Sequence, residues 1–174
     1  MKGLIHIYCG DGKGKTTAAM GLTVRAAGAG MKIVLTQFMK GDYSSELKIL
    51  KTLPSVQMIY CEKNFGFVWN MTEEEKMEAK AAYSAQFEKA VQLAVESDAD
   101  MLVMDEFMSC YELEFLDKTK ALEFLKNKPE KLEIVLTGRN PSQELCDVAD
   151  YISEIKKIKH PFDKGINSRK GIEN

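Results

Sequence analysis

The sequence is poor in several things, and each scarcity excludes a class of protein. No window approaches the ~18 apolar residues of a membrane-spanning helix. The first apolar run, Gly3 to Cys9, is too short for a secretory leader and leads into glycines and lysines instead of a small-residue cleavage site. Neither charge dominates: 24 basic against 26 acidic side chains leave a net charge of −2, whereas a dedicated nucleic-acid binder shows a basic excess. Histidine and cysteine are scarce. Cys9, Cys61, Cys110 and Cys146 form no C-x-x-C pair, and with only His6 and His160 beside them they match no zinc spacing. The expectation is four reduced thiols, mostly buried, in a cytoplasmic protein with neither a membrane nor a nucleic acid as partner.

What is present fits a globular enzyme. A chain of 174 residues, 45% of them hydrophobic, is sized for one domain with its own core. Short apolar runs at 4–9, 32–39, 56–61, 101–104, 132–137 and 151–158 read as strands. Helical patterns at 17–29, 45–53, 73–97 and from 117 to before Pro129 separate them, and Asn140-Pro141 reads as the start of another. Thr72-Glu73-Glu74-Glu75 is a capping box that opens the longest helix, with Met77, Ala81, Ala85, Val91 and Val95 as its expected apolar stripe. Near-continuous apolar strands between helices predict an α/β fold: a mostly parallel sheet of about six strands with helices on both faces. From Lys156 onward lysine and arginine outweigh acid, which suits either a solvated arm or a segment facing phosphate.

The strongest local signal is Gly10-Asp11-Gly12-Lys13-Gly14-Lys15-Thr16-Thr17, between a predicted strand and a predicted helix. Glycines let backbone N–H groups converge into an anion-binding concavity, and the helix that follows adds unpaired N–H groups and the positive end of its dipole. Lys15 can reach phosphate oxygens and the Thr16 hydroxyl can bind magnesium. The usual G-x-x-x-x-G-K-[ST] spacing would put its first glycine where Cys9 stands, so this loop is one residue short. The second signal is Met101-Leu102-Val103-Met104-Asp105-Glu106, a buried strand ending in carboxylates, where nucleotide-binding folds of this kind hold magnesium. Glu106 is then either a second metal ligand or a base. Together these signals make the fold P-loop NTPase-like. Asn127-Lys128-Pro129-Glu130 looks like a guanine-reading motif but precedes a strand and reads as a helix end. Phe65, Phe67 and Trp69 fall in a loop without helical period, suited to a planar ligand or to folding back on the core. Arg25, Arg139 and His160 are further possible ligand contacts.

These residues resemble the ATP:corrinoid adenosyltransferases of the P-loop type. The resemblance rests on the glycine loop at 10–19, Arg25-Ala26-Ala27-Gly28, Gln37-Phe38-Met39-Lys40-Gly41, Gly66-Phe67-Val68-Trp69, Asp105-Glu106 and Thr137-Gly138-Arg139. Its last segments are Lys159-His160-Pro161-Phe162-Asp163-Lys164-Gly165 and Lys170-Gly171-Ile172-Glu173. The resemblance implies transfer of the 5′-deoxyadenosyl group of ATP to the cobalt(I) of a corrinoid, with triphosphate as leaving group. It implies ATP held by Gly10 to Thr17 in the reverse direction, with Lys13 and Lys15 neutralising phosphate and Lys15 and Thr16 serving catalysis. Magnesium is expected on Thr16, Asp105 and Glu106. Phe67 and Trp69 are expected to cover the lower face of the corrin and displace its axial base, which eases reduction of cobalt(II). A homodimer and a flavin-protein reductant are implied too. Some members carry an N-terminal segment folded over an active site, and this sequence opens on its first strand. The competing readings are a P-loop ATPase or kinase cleaving at the γ-phosphate and a non-catalytic nucleotide-binding regulator.

Overall fold

The computed structural model describes residues 2–40, 44–66 and 68–173. Among these residues six strands form one sheet: β1 (Ile5–Cys9), β2 (Ile33–Gln37), β3 (Val56–Ile59), β4 (Met101–Asp105), β5 (Glu133–Thr137) and β6 (Tyr151–Glu154). Their order is β3-β2-β4-β5-β1-β6 and every pairing is parallel. Between them run α1 (Lys15–Gly28), α2 (Ser45–Leu50), α3 (Glu73–Glu96), α4 (Phe107–Glu112), α5 (Lys118–Lys126) and α6 (Gln143–Val148).

The period of two along each strand sorts the core into two layers. Ile5, Ile7, Val34, Leu102, Met104, Ile134 and Leu136 point to one face, where Phe87 and Ala90 of α3, Phe107 of α4, Leu125 of α5 and Leu145 of α6 cover them. Ile33, Leu35, Met101, Val103 and Val135 point to the other, against Ala19, Met20 and Ala26 of α1 and Leu47 and Leu50 of α2. Helices therefore lie on both faces, as the sequence predicts. Cys9 and Cys110 are buried, Cys61 and Cys146 half-buried, and all four are free thiols.

Several local expectations are corrected. Helix α3 does start on its capping box, with Thr72 Oγ1 accepting from Glu75 N and Glu75 Oε2 accepting from Thr72 N. Its buried stripe, however, is Ala79, Tyr83, Gln86, Phe87, Ala90 and Ala94, while Met77, Ala81, Ala85 and Val95 face outward. Alanine carries little hydrophobic signal, so the aromatic pair Tyr83 and Phe87, four apart and hence on one face, was the better guide. The helix expected from Pro141 begins at Gln143 with Ser142 as its N-cap residue. Helix α4 was not expected: Phe107, Met108, Cys110 and Tyr111 are all buried, so a six-residue helix shows no polar face to reveal its period. Strand β6 ends at Glu154 rather than near 158, because only residues through Glu154 pair with β1.

Candidate active site

The carboxyl ends of four parallel strands deliver the polar residues to one place. Strand β1 leads into the glycine loop, β2 ends in Gln37, β4 in Asp105 and β5 in Thr137. This is the end of a parallel sheet where ligands bind. Strands β1 and β4 are not neighbours, since β5 lies between them. The carboxylate of Asp105 nevertheless stands next to the loop, 3.3 Å from Thr16 Oγ1, and β5, lying between the two strands, supplies a residue that sequence reasoning overlooked.

The glycine loop is pinned from both sides, by the segments that follow β5 and β6. Gly10 N donates to Arg139 O at 2.9 Å and Gly12 N to Ile155 O at 2.8 Å. Asp11 Oδ1 accepts from Lys157 N at 3.0 Å, and that bond holds the carboxyl below the usual carboxylate range. At Gly10, with φ +104°, a Cβ would stand 2.4 Å from Ile155 O, so only glycine fits. Helix α1 begins at Lys15, two residues earlier than expected, with Gly14 as N-cap at φ 126°. The amides of its first turn, Lys15, Thr16 and Thr17 among them, have no intrahelical acceptor and carry the positive dipole end. Lys15 folds back so that Nζ donates to Gly12 O at 2.9 Å. Burial pulls its pKa down, opposed by Glu106. A negative charge placed beside the ammonium would offset that penalty.

Asp105 is the hub. It is fully buried, and a buried carboxylate requires hydrogen bonds and a counter-charge. Thr137 Oγ1 donates to Oδ1 at 2.6 Å, and Gln37 Nε2 to Oδ2 at 2.7 Å. Thr16 Oγ1 lies 3.3 Å from Oδ2 and Lys40 Nζ 3.2 Å. Sequence reasoning did not assign Thr137, Gln37 or Lys40 a role. A buried polar residue at a strand's carboxyl end is the signal that could have found the first two. Glu106 is held differently. Its backbone is left-handed at φ 57°, its N–H donates to Thr137 Oγ1 at 2.9 Å, and Oε2 accepts from Ser109 Oγ at 2.8 Å.

Among the described residues no three histidine, cysteine or acidic side chains converge as a metal cluster. Magnesium does not need one. It binds through one or two carboxylates together with substrate phosphates, and Thr16, Asp105 and Glu106 are such an all-oxygen set. The cation Lys40 standing at these carboxylates indicates that the corner suits positive charge.

A groove of about 970 Å³ opens beside Thr16 and Thr17, lined also by Lys40, by Ser44, Glu46 and Lys48 of the α2 region, and by Lys170 to Glu173. The basic tail therefore divides: its last residues wall the groove, while residues 156–159 and 161–169 are largely exposed. Lys13 and Thr17 are exposed beside the loop. Arg25 stands in the last turn of α1, ten residues and ~15 Å along the helix from Lys15. His160 caps a short turn by accepting from Phe162 N at 3.2 Å. The loop aromatics separate as well. Phe65 packs edge-on against Tyr83 at 5.6 Å, whereas Trp69 is 77% exposed. Phe67 lies outside the described residues.

Over residues 1–174 the sequence matches the family described as ATP:corrinoid adenosyltransferase BtuR/CobO/CobP. The chain belongs to this family. A corrinoid adenosyltransferase of Sinorhizobium sp is 35% identical across 99% of this chain and 80% of its own length. The Escherichia coli K12 corrinoid adenosyltransferase is 30% identical across 99% and 86%, and that of Salmonella typhimurium 31% across 99% and 86%. Among solved structures, ATPases 2 and 3 of EssC from Geobacillus thermodenitrificans superpose with a TM-score of 0.53 at 17% identity over 97% of this chain. The chain spans 35% of that structure's length, and the likeness is one of fold alone. It sets this adenosyltransferase-family chain on an ATPase-like scaffold.

Proposed function

We propose that the protein transfers the 5′-deoxyadenosyl group of ATP to a reduced corrinoid. The electron pair of cobalt(I) attacks the ribose C5′, a cobalt–carbon bond forms, and the C5′–oxygen bond breaks. Triphosphate leaves with that bond's electrons. The observation that carries this reading is the short glycine loop with Lys15 folded onto its backbone and Thr16 facing the buried Asp105, at the mouth of a groove large enough for a nucleotide. Negative charge develops on the α-phosphate end of the leaving group. Donors are therefore needed along the whole polyphosphate, and the loop and first turn of α1 supply them before reaction begins. Gly10 to Thr17 bind the phosphates, with Lys13 and Lys15 as the neutralising cations. Thr16, Asp105 and Glu106 would hold magnesium, which supplies further positive charge to the phosphates. No water has to be activated, so Glu106 serves as a metal ligand and not as a base.

Phe67 and Trp69 are proposed to cover the lower corrin face, with Trp69 offering an exposed indole for that contact. The assembly is proposed to be a homodimer fed electrons by a flavin protein in the cytoplasm. No helix among the described residues is long and apolar enough to cross a membrane.

The test is direct. Protein incubated with ATP, magnesium and a cobalt(I) corrinoid should give a light-sensitive alkyl-cobalt spectrum together with inorganic triphosphate. Formation of ADP with phosphate or a phosphorylated acceptor would move the reading to an ATPase or kinase, and intact ATP to a regulator.

A further inference from the structure

Lys40 has a position that the reading above does not use. Its ammonium lies 3.2 Å from Asp105 Oδ2, 3.3 Å from Thr16 Oγ1 and 4.0 Å from Glu106 Oε1. These are the same three side chains proposed to hold magnesium. The ammonium reaches them from the end of a flexible stem just past β2. Asp105 is buried completely, while the Lys40 side chain is 37% exposed, so the carboxylate is fixed and the cation is the partner able to move. Lys40 also lines the groove beside the glycine loop, within the same cavity as Thr16 and Thr17.

Two cations cannot share this corner. A divalent ion on Asp105 would face an ammonium a few ångströms away, and like charges at that distance repel strongly where water is scarce. We propose that Lys40 is a tethered counterion: it neutralises the Asp105–Glu106 corner until magnesium enters, and is then displaced onto the triphosphate as a further substrate-binding residue. The inference rests on the magnesium assignment above and adds an exchange to it. It gives the free protein a way to keep a buried carboxylate neutralised. It also makes the metal and the polyphosphate enter together, since metal alone must displace the ammonium with no anion to receive it.

The exchange predicts effects of opposite sign. Wild-type protein, Lys40→Met and Lys40→Gln are titrated with Mn²⁺ alone, followed by paramagnetic resonance, and with tripolyphosphate in saturating Mn²⁺. Without a competing ammonium the variants should bind Mn²⁺ alone about tenfold more tightly. They should bind tripolyphosphate about tenfold more weakly, for want of one charge-assisted hydrogen bond. Thermal unfolding gives an independent readout. Lys40→Met should melt about 3 °C or more below wild type without divalent ion and regain that difference when Mn²⁺ is added. Lys40→Gln retains a hydrogen-bond donor and keeps the comparison available if the methionine variant folds poorly. A merely structural lysine would weaken both ligands together, and that result, or an unchanged affinity for Mn²⁺ alone, overturns the proposal. Wild-type protein that takes up no Mn²⁺ even with tripolyphosphate would contradict the magnesium assignment itself, and the exchange with it.

Discussion

The Asp105 corner and the aromatic turn around Trp69 are built in opposite ways. At the corner a fully buried carboxylate receives hydrogen bonds from residues on α1, β2 and β5 and from Lys40. At the turn, Phe65 anchors the chain against Tyr83 while Trp69 projects with 77% of its surface exposed. The difference follows from what each must do. Charge stabilisation works only if the dipoles are already aimed, so the groups that aim them are packed into the core. A flat apolar ligand is recognised by area instead, and the side chain that covers it gains most if it is exposed beforehand and buried by binding.

The largest effect should come from weakening the rigid region. Lys15→Ala removes a cation held against the glycine backbone, and adenosyl transfer should fall by about 10²- to 10³-fold, the range of losing a preorganised oxyanion donor. Unfolding free energy should change little, because the hydrogen bond from Nζ to Gly12 O is partly exposed. Steady-state rates alongside urea denaturation check both halves. A loss smaller than tenfold would mean that the corner is not where the charge develops, and the contrast with the aromatic turn would collapse.

Trp69→Ala tests the other region and should act more mildly and more selectively. Turnover starting from cobalt(II) should slow by about tenfold, the scale of one exposed aromatic anchor, while turnover from chemically supplied cobalt(I) should stay within about twofold. Stability should move by less than about 0.5 kcal/mol, as for other surface positions. Equal losses from the two oxidation states would remove the proposed role in displacing the axial base and leave Trp69 as a plain contact.

The same contrast governs what could be read from the sequence. The glycine loop was legible because a local motif dictates local geometry: Gly10 must be glycine for its φ of 104°, and the N-terminus of α1 follows it directly. The sheet was legible because strands covered on both faces are apolar in near-continuous runs, as β2 is over Ile33 to Leu35 and β4 over Met101 to Met104. Thr137 was not legible as part of the site. Its role depends on β5 lying between β1 and β4, and strand order is a long-range property that no local pattern encodes. Lys40 was hidden for the same reason, being 65 residues from the carboxylate it reaches. The stripe of α3 was misplaced because a helix rich in alanine and long polar side chains has little amphipathic contrast. There the burial of Ala79, Ala90 and Ala94 is decided by the sheet beneath them.

The smallest predicted effect concerns the segment that walls the groove, intermediate in character between the two regions. Glu173 is gripped by Arg169 through both side chain and backbone, with bonds of 2.8 to 3.1 Å. These bonds, with a contribution from Lys13, bring its pKa down to about 2. A carboxyl whose folded value is depressed lends its turn stability above its ordinary value of 4.5 and surrenders it as pH falls toward 2. The turn should therefore stay closed through the range in which exposed carboxylates protonate. A carboxyl-carbon NMR titration should place the Glu173 midpoint near 2, and Arg169→Ala should move it upward toward 4.5. Both groups lie at the surface, so salt should raise the wild-type midpoint as well. Nucleotide affinity in Arg169→Ala should weaken by only about two- to threefold, as expected for losing one exposed ion pair. If wild-type Glu173 titrated like a free carboxylate, the turn would not be clasped, and Lys170 to Glu173 would belong with the exposed aromatic turn rather than with the preorganised corner.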